Sequence, residues 1–88
     1  MIVRILGEGR YDVPDAQMPA IEQRDATLVE ALEAGDDDAF GSALGELIAA
    51  VRTAGTAVPP EDLATSQLVV PHEGSTLAEV RALLEEGA

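Results

Sequence analysis

Met1-Ile-Val-Arg-Ile-Leu-Gly-Glu-Gly-Arg-Tyr-Asp-Val-Pro14 is the stretch whose reading decides the fold. An apolar run begins at Met1 and stops at Gly7-Glu8-Gly9, where two glycines supply a permissive backbone for a turn or bulge. Arg10 to Val13 form a second extended piece closed by Pro14. The pattern predicts a strand, a turn and a return strand, with no targeting leader before them. Side chains alternate along a strand, so Val3 and Ile5 point one way and Ile2, Arg4 and Leu6 the other. Both faces carry apolar groups. Helices are expected on one, which leaves the face with Ile2 and Leu6 as a contact surface.

Working outward, Met18, Ile21, Leu28, Val29 and Leu32 recur at helical spacing over roughly residues 16–34, with Asp25 interrupting the stripe. Pro19 belongs in the first turn of that helix and Gly35 at its end. Asp36-Asp37-Asp38 then suits the positive end of a second helix, whose stripe is Phe40, Leu44, Leu47, Ile48 and Val51 and which runs to about Ala54 before Gly55. The short connection implies an antiparallel helical hairpin. Gly55 to Ser66, with Pro59-Pro60, reads as a linker. Gln67-Leu-Val-Val70 reads as a short strand ended by Pro71. Thr76-Leu-Ala-Glu79 is a capping box opening a last helix with Leu77, Val80, Leu83 and Leu84 inside. The expected fold class is α+β. One small domain over 1–88 holds an N-terminal strand or hairpin, the helical hairpin, a second short strand beside the first and a C-terminal helix, with the helices on one sheet face.

Composition narrows the function. The 88 residues include 17 acidic and 5 basic side chains, all five arginine, for a net charge of −12. Such a chain repels phosphate backbones and anionic lipid, and it offers only Tyr11 and Phe40 for base stacking. Nucleic-acid binding is therefore not expected. With no cysteine, disulfides, thiolate metal sites and cysteine nucleophiles are excluded. No apolar run approaches the ~18 residues of a membrane span. The expectation is a soluble cytoplasmic protein without direct membrane insertion.

The motifs that resemble chemistry fail on inspection. Gly7-Glu8-Gly9 begins a dinucleotide fingerprint, but its third glycine falls on Asp12, whose carboxylate would face a pyrophosphate. Asp36, Asp38 and Gly41 resemble a calcium loop, yet Phe40 and Leu47 fall where oxygen ligands are required. Size and acidity suit an acyl carrier protein, but Ser42, Ser66 and Ser75 all lie outside an Asp-Ser-Leu context. His72, the one histidine, stands in a loop without a ligand set or a nucleophile arrangement around it. No catalytic, cofactor or metal residue is assigned. Gly41 and Gly45 within the second helix each cost about 0.8–1 kcal/mol relative to alanine, which suggests a backbone approaching closely, with the first helix as the expected neighbour.

Taken together, Met1 to Pro14, Val29-Glu-Ala-Leu-Glu-Ala-Gly-Asp36, Gln67 to Pro71 and Thr76-Leu-Ala-Glu-Val-Arg-Ala-Leu-Leu84 resemble the PspA-associated protein family. The opening block is the most specific part of the likeness. The resemblance implies an accessory or regulatory protein, not an enzyme. Its partner would be a PspA-like coiled-coil protein of the phage-shock (envelope stress) response, holding it peripheral to the inner face of the membrane. The acidic surface of the chain suits a partner with basic patches. The resemblance also implies an apolar Leu-Ile-Pro type ending after the last helix, where this chain has Gly87-Ala88. The expected partner-binding residues are Ile2, Arg4, Leu6, Gly7, Gly9, Arg10 and Tyr11, on the sheet face and its turn; the helical hairpin is the other surface considered. The alternative is a self-associating, homodimeric module with no PspA partner.

Overall fold

A computed structural model describes residues 1–86, so the Gly87-Ala88 ending set against the family's apolar one lies outside the described residues. Strand β1 (Ile2–Ile5) pairs antiparallel with β2 (Gly9–Asp12), so the opening block is a hairpin. Its turn is closed by the Glu8 N–H donating to the Ile5 carbonyl at 3.0 Å. Gly7 occupies the left-handed region at φ 79°, a conformation that explains glycine there.

Helix α1 spans Met18–Ala34 and α2 spans Asp37–Ala54. A 3-10 turn at Asp15–Gln17 leads into α1, and Pro19 lies in its first turn, where a missing N–H leaves no helical bond unmade. The end of α1 is set by Gly35 at φ 71°. Gly35 N–H donates to the Leu32 carbonyl and Asp36 N–H to the Ala31 carbonyl, each at 3.2 Å, which satisfies two orphan acceptors. Asp36 immediately caps α2, its carboxylate accepting from the Ala39 N–H at 3.1 Å. Two helices joined by so short a connection pack side by side as the predicted hairpin.

The stretch Gly55 to Ser66 is not simply a linker. Its first residues form strand β3 (Thr56–Val58), antiparallel to β2. Three residues followed by Pro59-Pro60 leave too short a pattern to read, but β-branched Thr56 and Val58 suit the edge that β2 offers. Strand β4 (Leu68–Val70) then pairs parallel to β1, giving a four-stranded mixed sheet in the order β3-β2-β1-β4. The two strands expected to be neighbours are neighbours.

The three α-helices of the described residues lie against one face of this sheet. Val3, Ile5 and Val70 from the strands share a core with Met18, Ile21, Leu28, Phe40, Leu44, Leu47, Ile48 and Val51 from the hairpin. Helix α3 (Leu77–Glu86) adds Leu77 and Val80. Its start is fixed by Thr76, whose Oγ1 accepts from the Glu79 N–H at 3.1 Å and donates to the Glu79 carboxylate.

Three expectations about packing are corrected. Leu83 and Leu84 are half-exposed, because α3 meets the core through its first turns and runs on past it. Val29 is also largely outside the core, where Ala31 takes the buried position instead. Gly41 and Gly45 face open space: an ideal Cβ on either meets no atom within 4 Å. The close backbone approach is at Gly55, where a Cβ would stand 2.8 Å from the Tyr11 Cβ and 2.9 Å from the Val51 carbonyl oxygen.

Candidate functional site

The alternation read from the first strand holds, and the sheet register extends it across four strands. Val3 pairs with Tyr11 and Leu68, and Tyr11 with Ala57, on the face that carries the helices. Arg4 pairs with Arg10 and Val69, and Arg10 with Val58. Cross-strand partners share a face, so the second face presents a row in the order Val69, Arg4, Arg10, Val58. Ile2 and Asp12, themselves a pair, lie on the same face.

No helix of the described residues lies over this face. Val69 is 52% exposed and Arg4 is exposed, while Ile2, Arg10 and Val58 are half-buried. The segment after β3 folds back beside it, pinned by Arg10. One guanidinium nitrogen of Arg10 donates to the Ala64 carbonyl, and the other to the carbonyls of Asp62 (2.6 Å) and Pro59 (3.0 Å). Asp62 reinforces the loop by accepting from the Ala64 N–H at 2.8 Å. The result is a groove of about 810 Å³ between the sheet and the loop, whose lining includes Arg4, Gly7, Gly9, Arg10, Val58 and Leu63. Leu63 is 94% exposed.

The seven expected partner-binding residues therefore divide. Ile2, Arg4 and Arg10 share the uncovered face; Gly7 and Gly9 form the turn at its end; Leu6 is half-buried where β1 gives way to that turn. Tyr11 belongs mainly to the other side, packed against the core. Adjacent residues on a strand point oppositely, yet Tyr11 still lines the same groove as Arg4 and Arg10. Val58, Leu63 and Val69 complete the face, and none was singled out from the sequence. The period-two pattern in Leu68-Val69-Val70 was the available signal for Val69; Leu63 sits in a loop with no period at all.

Tyr11 has a different part. Its hydroxyl donates to the Glu8 carboxylate at 2.6 Å, and Arg52 at the end of α2 also donates to that carboxylate through Nε (2.9 Å) and an Nη. Arg52 reaches Glu73 as well, at 3.2 Å. Hydrogen bonding from Arg52, then from Tyr11, holds Glu8 down from its ordinary 4.5 to about 2. The bond to Glu8 pushes the Tyr11 hydroxyl up, and the same carboxylate pushes Arg52 up. The network ties the β1–β2 turn to the helical layer, and each of its groups already has a partner.

Elsewhere the chemistry is sparse. His72 Nε2 lies 3.6 Å from the Glu79 carboxylate beside the start of α3. No group of three or more His, Asp or Glu among the described residues is placed to hold a metal ion. A second groove, about 710 Å³, follows the helical hairpin beside Ala20, Arg24, Glu46, Ala49 and Thr53. Desolvation raises the Asp25 carboxyl, which is half-buried where it interrupts the α1 stripe. No helix among the described residues is long and apolar enough to cross a membrane.

These features define a small α+β module with one face of its sheet left bare and no assembled catalytic centre among the described residues. The model of the PspA-associated protein family matches residues 1–88, the whole chain. This chain belongs to that family, an accessory family linked to PspA. Comparisons with curated proteins and with solved structures return no match.

Proposed function

We propose that this chain is a non-enzymatic accessory protein that binds a PspA-like coiled-coil protein directly, through the uncovered face of its sheet. The observation that carries the reading is that face itself. Four strands are covered on one side by three helices, while the other side shows Val69, Arg4 and the nearly bare Leu63 beside a groove. Apolar side chains rimmed by polar groups on an otherwise charged surface mark a contact site. In this reading the protein works in the cytoplasm and reaches the inner face of the membrane only through its partner. The groove on the hairpin surface is lined by none of the large exposed apolar side chains.

The homodimer alternative gains nothing from the same face. Stacking two copies about a two-fold axis through the row would bring Arg4 and Arg10 against their own counterparts. The test is co-purification of the tagged chain with its cognate PspA homologue at low salt, followed by light scattering of each component alone. The reading expects a stable complex and a chain that is monomeric by itself. Failure to associate at low salt removes it, and a dimeric chain without affinity for PspA favours the alternative.

A further inference from the structure

Charge is distributed unevenly over this molecule, and the bare face runs against the total. Of the five arginines, Arg24 pairs with Glu46 at 3.4 Å and Arg52 with Glu8 and Glu73. Arg81 donates to the Leu32 carbonyl at the end of α1 at 2.9 Å, which suits the negative end of that helix. Arg10 is spent on three loop carbonyls. Arg4 alone makes neither an ion pair nor a side-chain hydrogen bond among the described residues, in a chain with 17 carboxylates to choose from. It stands opposite Arg10 across an antiparallel pair, an arrangement in which like charges repel. The two carboxylates that also line the groove are already engaged. Glu8 is held by Arg52 and Tyr11, and Asp62 by the Ala64 N–H.

We infer that the row Val69-Arg4-Arg10-Val58 recognises a partner segment that presents a carboxylate flanked by apolar side chains. The carboxylate pairs with Arg4, whose planar fork donates two parallel hydrogen bonds, and offsets the repulsion between Arg4 and Arg10. The flanking apolar groups cover Val69 on one side and Leu63 on the other. This rests on the reading that the chain binds a PspA-like protein, and it names what that protein brings to the contact. The surplus of acid on the helices is then not the recognition surface. That reverses the expectation, drawn from net charge alone, of a basic patch on the partner.

Arg4→Glu separates this from a structural effect, because the two move in opposite directions. In the free chain the introduced carboxylate would face Arg10 and replace a repulsive pair by an attractive one, so the melting temperature stays the same or rises. Affinity for the full-length PspA homologue, measured by calorimetry, falls on the order of tenfold or more. Leu63→Asp, at a position with no packing to lose, weakens binding as well, whereas Glu30→Lys on the exposed side of α1 leaves it within about twofold. The inference is overturned if wild type binds while Arg4→Glu stays within about twofold of it, or if Glu30→Lys weakens binding as much as Arg4→Glu does. A wild-type chain that does not bind PspA at all overturns the reading beneath it, and this inference with it.

Discussion

Three glycines in and at the end of one helix should respond to alanine with opposite signs. Gly41 and Gly45 lie inside α2, and a Cβ on either meets nothing within 4 Å. Glycine there costs backbone entropy with no packing in return, so each replacement should stabilise by about 0.8–1 kcal/mol and the pair by roughly 2 kcal/mol. For a domain of this size, that raises the melting temperature by roughly 6–16 °C. Gly55 ends the same helix with φ −97° and ψ 163°, a conformation any residue adopts. Its constraint is space. A Cβ would stand 2.8 Å from the Tyr11 Cβ, 2.9 Å from the Val51 carbonyl oxygen and 3.2 Å from Val13 Cγ2. Two of those neighbours are fixed by the backbone, so strand β2 or the helix end must move, at a cost of about 1–3 kcal/mol. Urea titration of the three single variants and of the Gly41→Ala/Gly45→Ala double variant measures all of this. Destabilisation by the double variant would mean that something in the folded chain does approach that face of α2. A neutral Gly55→Ala would mean that β2 and the end of α2 are not packed as described.

Glu8 has its pKa lowered from 4.5 to about 2. A depressed folded-state value gives stability that is fully present above the unfolded value of 4.5 and is lost as pH falls toward 2. The stability difference between wild type and Glu8→Gln should therefore be constant above about pH 5.5 and shrink steadily below it; a difference that does not change with pH would exclude the Arg52–Glu8 contact as its source. Arg10→Ala should release the loop from Pro59 to Ala64, raising amide exchange and proteolysis there while the helices stay protected. Unchanged exchange in that loop would contradict the clamp. Asp36→Ala removes the cap on α2 and should cost about 1 kcal/mol in thermal or urea unfolding, with Asp36→Asn recovering most of it.

Much of this architecture is legible in the sequence, for local reasons. Gly35 and Asp36 mark adjacent helix ends because a left-handed C-cap and a carboxylate N-cap each need a particular residue type. The alternation of Val3 and Ile5 against Ile2 and Arg4 identified the inner and outer faces of β1 because a strand repeats every two residues. What escaped depends on partners distant in sequence. β3 exists because β2 offers a free edge to Thr56–Val58, and no pattern within three residues announces that. Leu83 and Leu84 follow the helical period perfectly well, yet α3 extends past the core it would bury them against. The same limit applies to the candidate site. Arg4 was legible as outward-facing, whereas its position opposite Arg10 and between Val69 and Val58 is a matter of register across four strands. Tyr11 follows Arg10 in the chain and points toward the core, yet both line the groove beside the loop, a juxtaposition that no local pattern announces.

The central claim is that PspA meets the bare sheet face, and a methyl NMR titration tests it most directly. Isotope-labelled chain titrated with unlabelled PspA homologue should show its largest shifts or broadening at the methyls of Ile2, Val58, Leu63 and Val69. The Val29 methyls on the opposite, helical side should stay in place. Perturbation centred on Val29 or along the exposed side of α2, with the sheet-face methyls silent, would contradict the account.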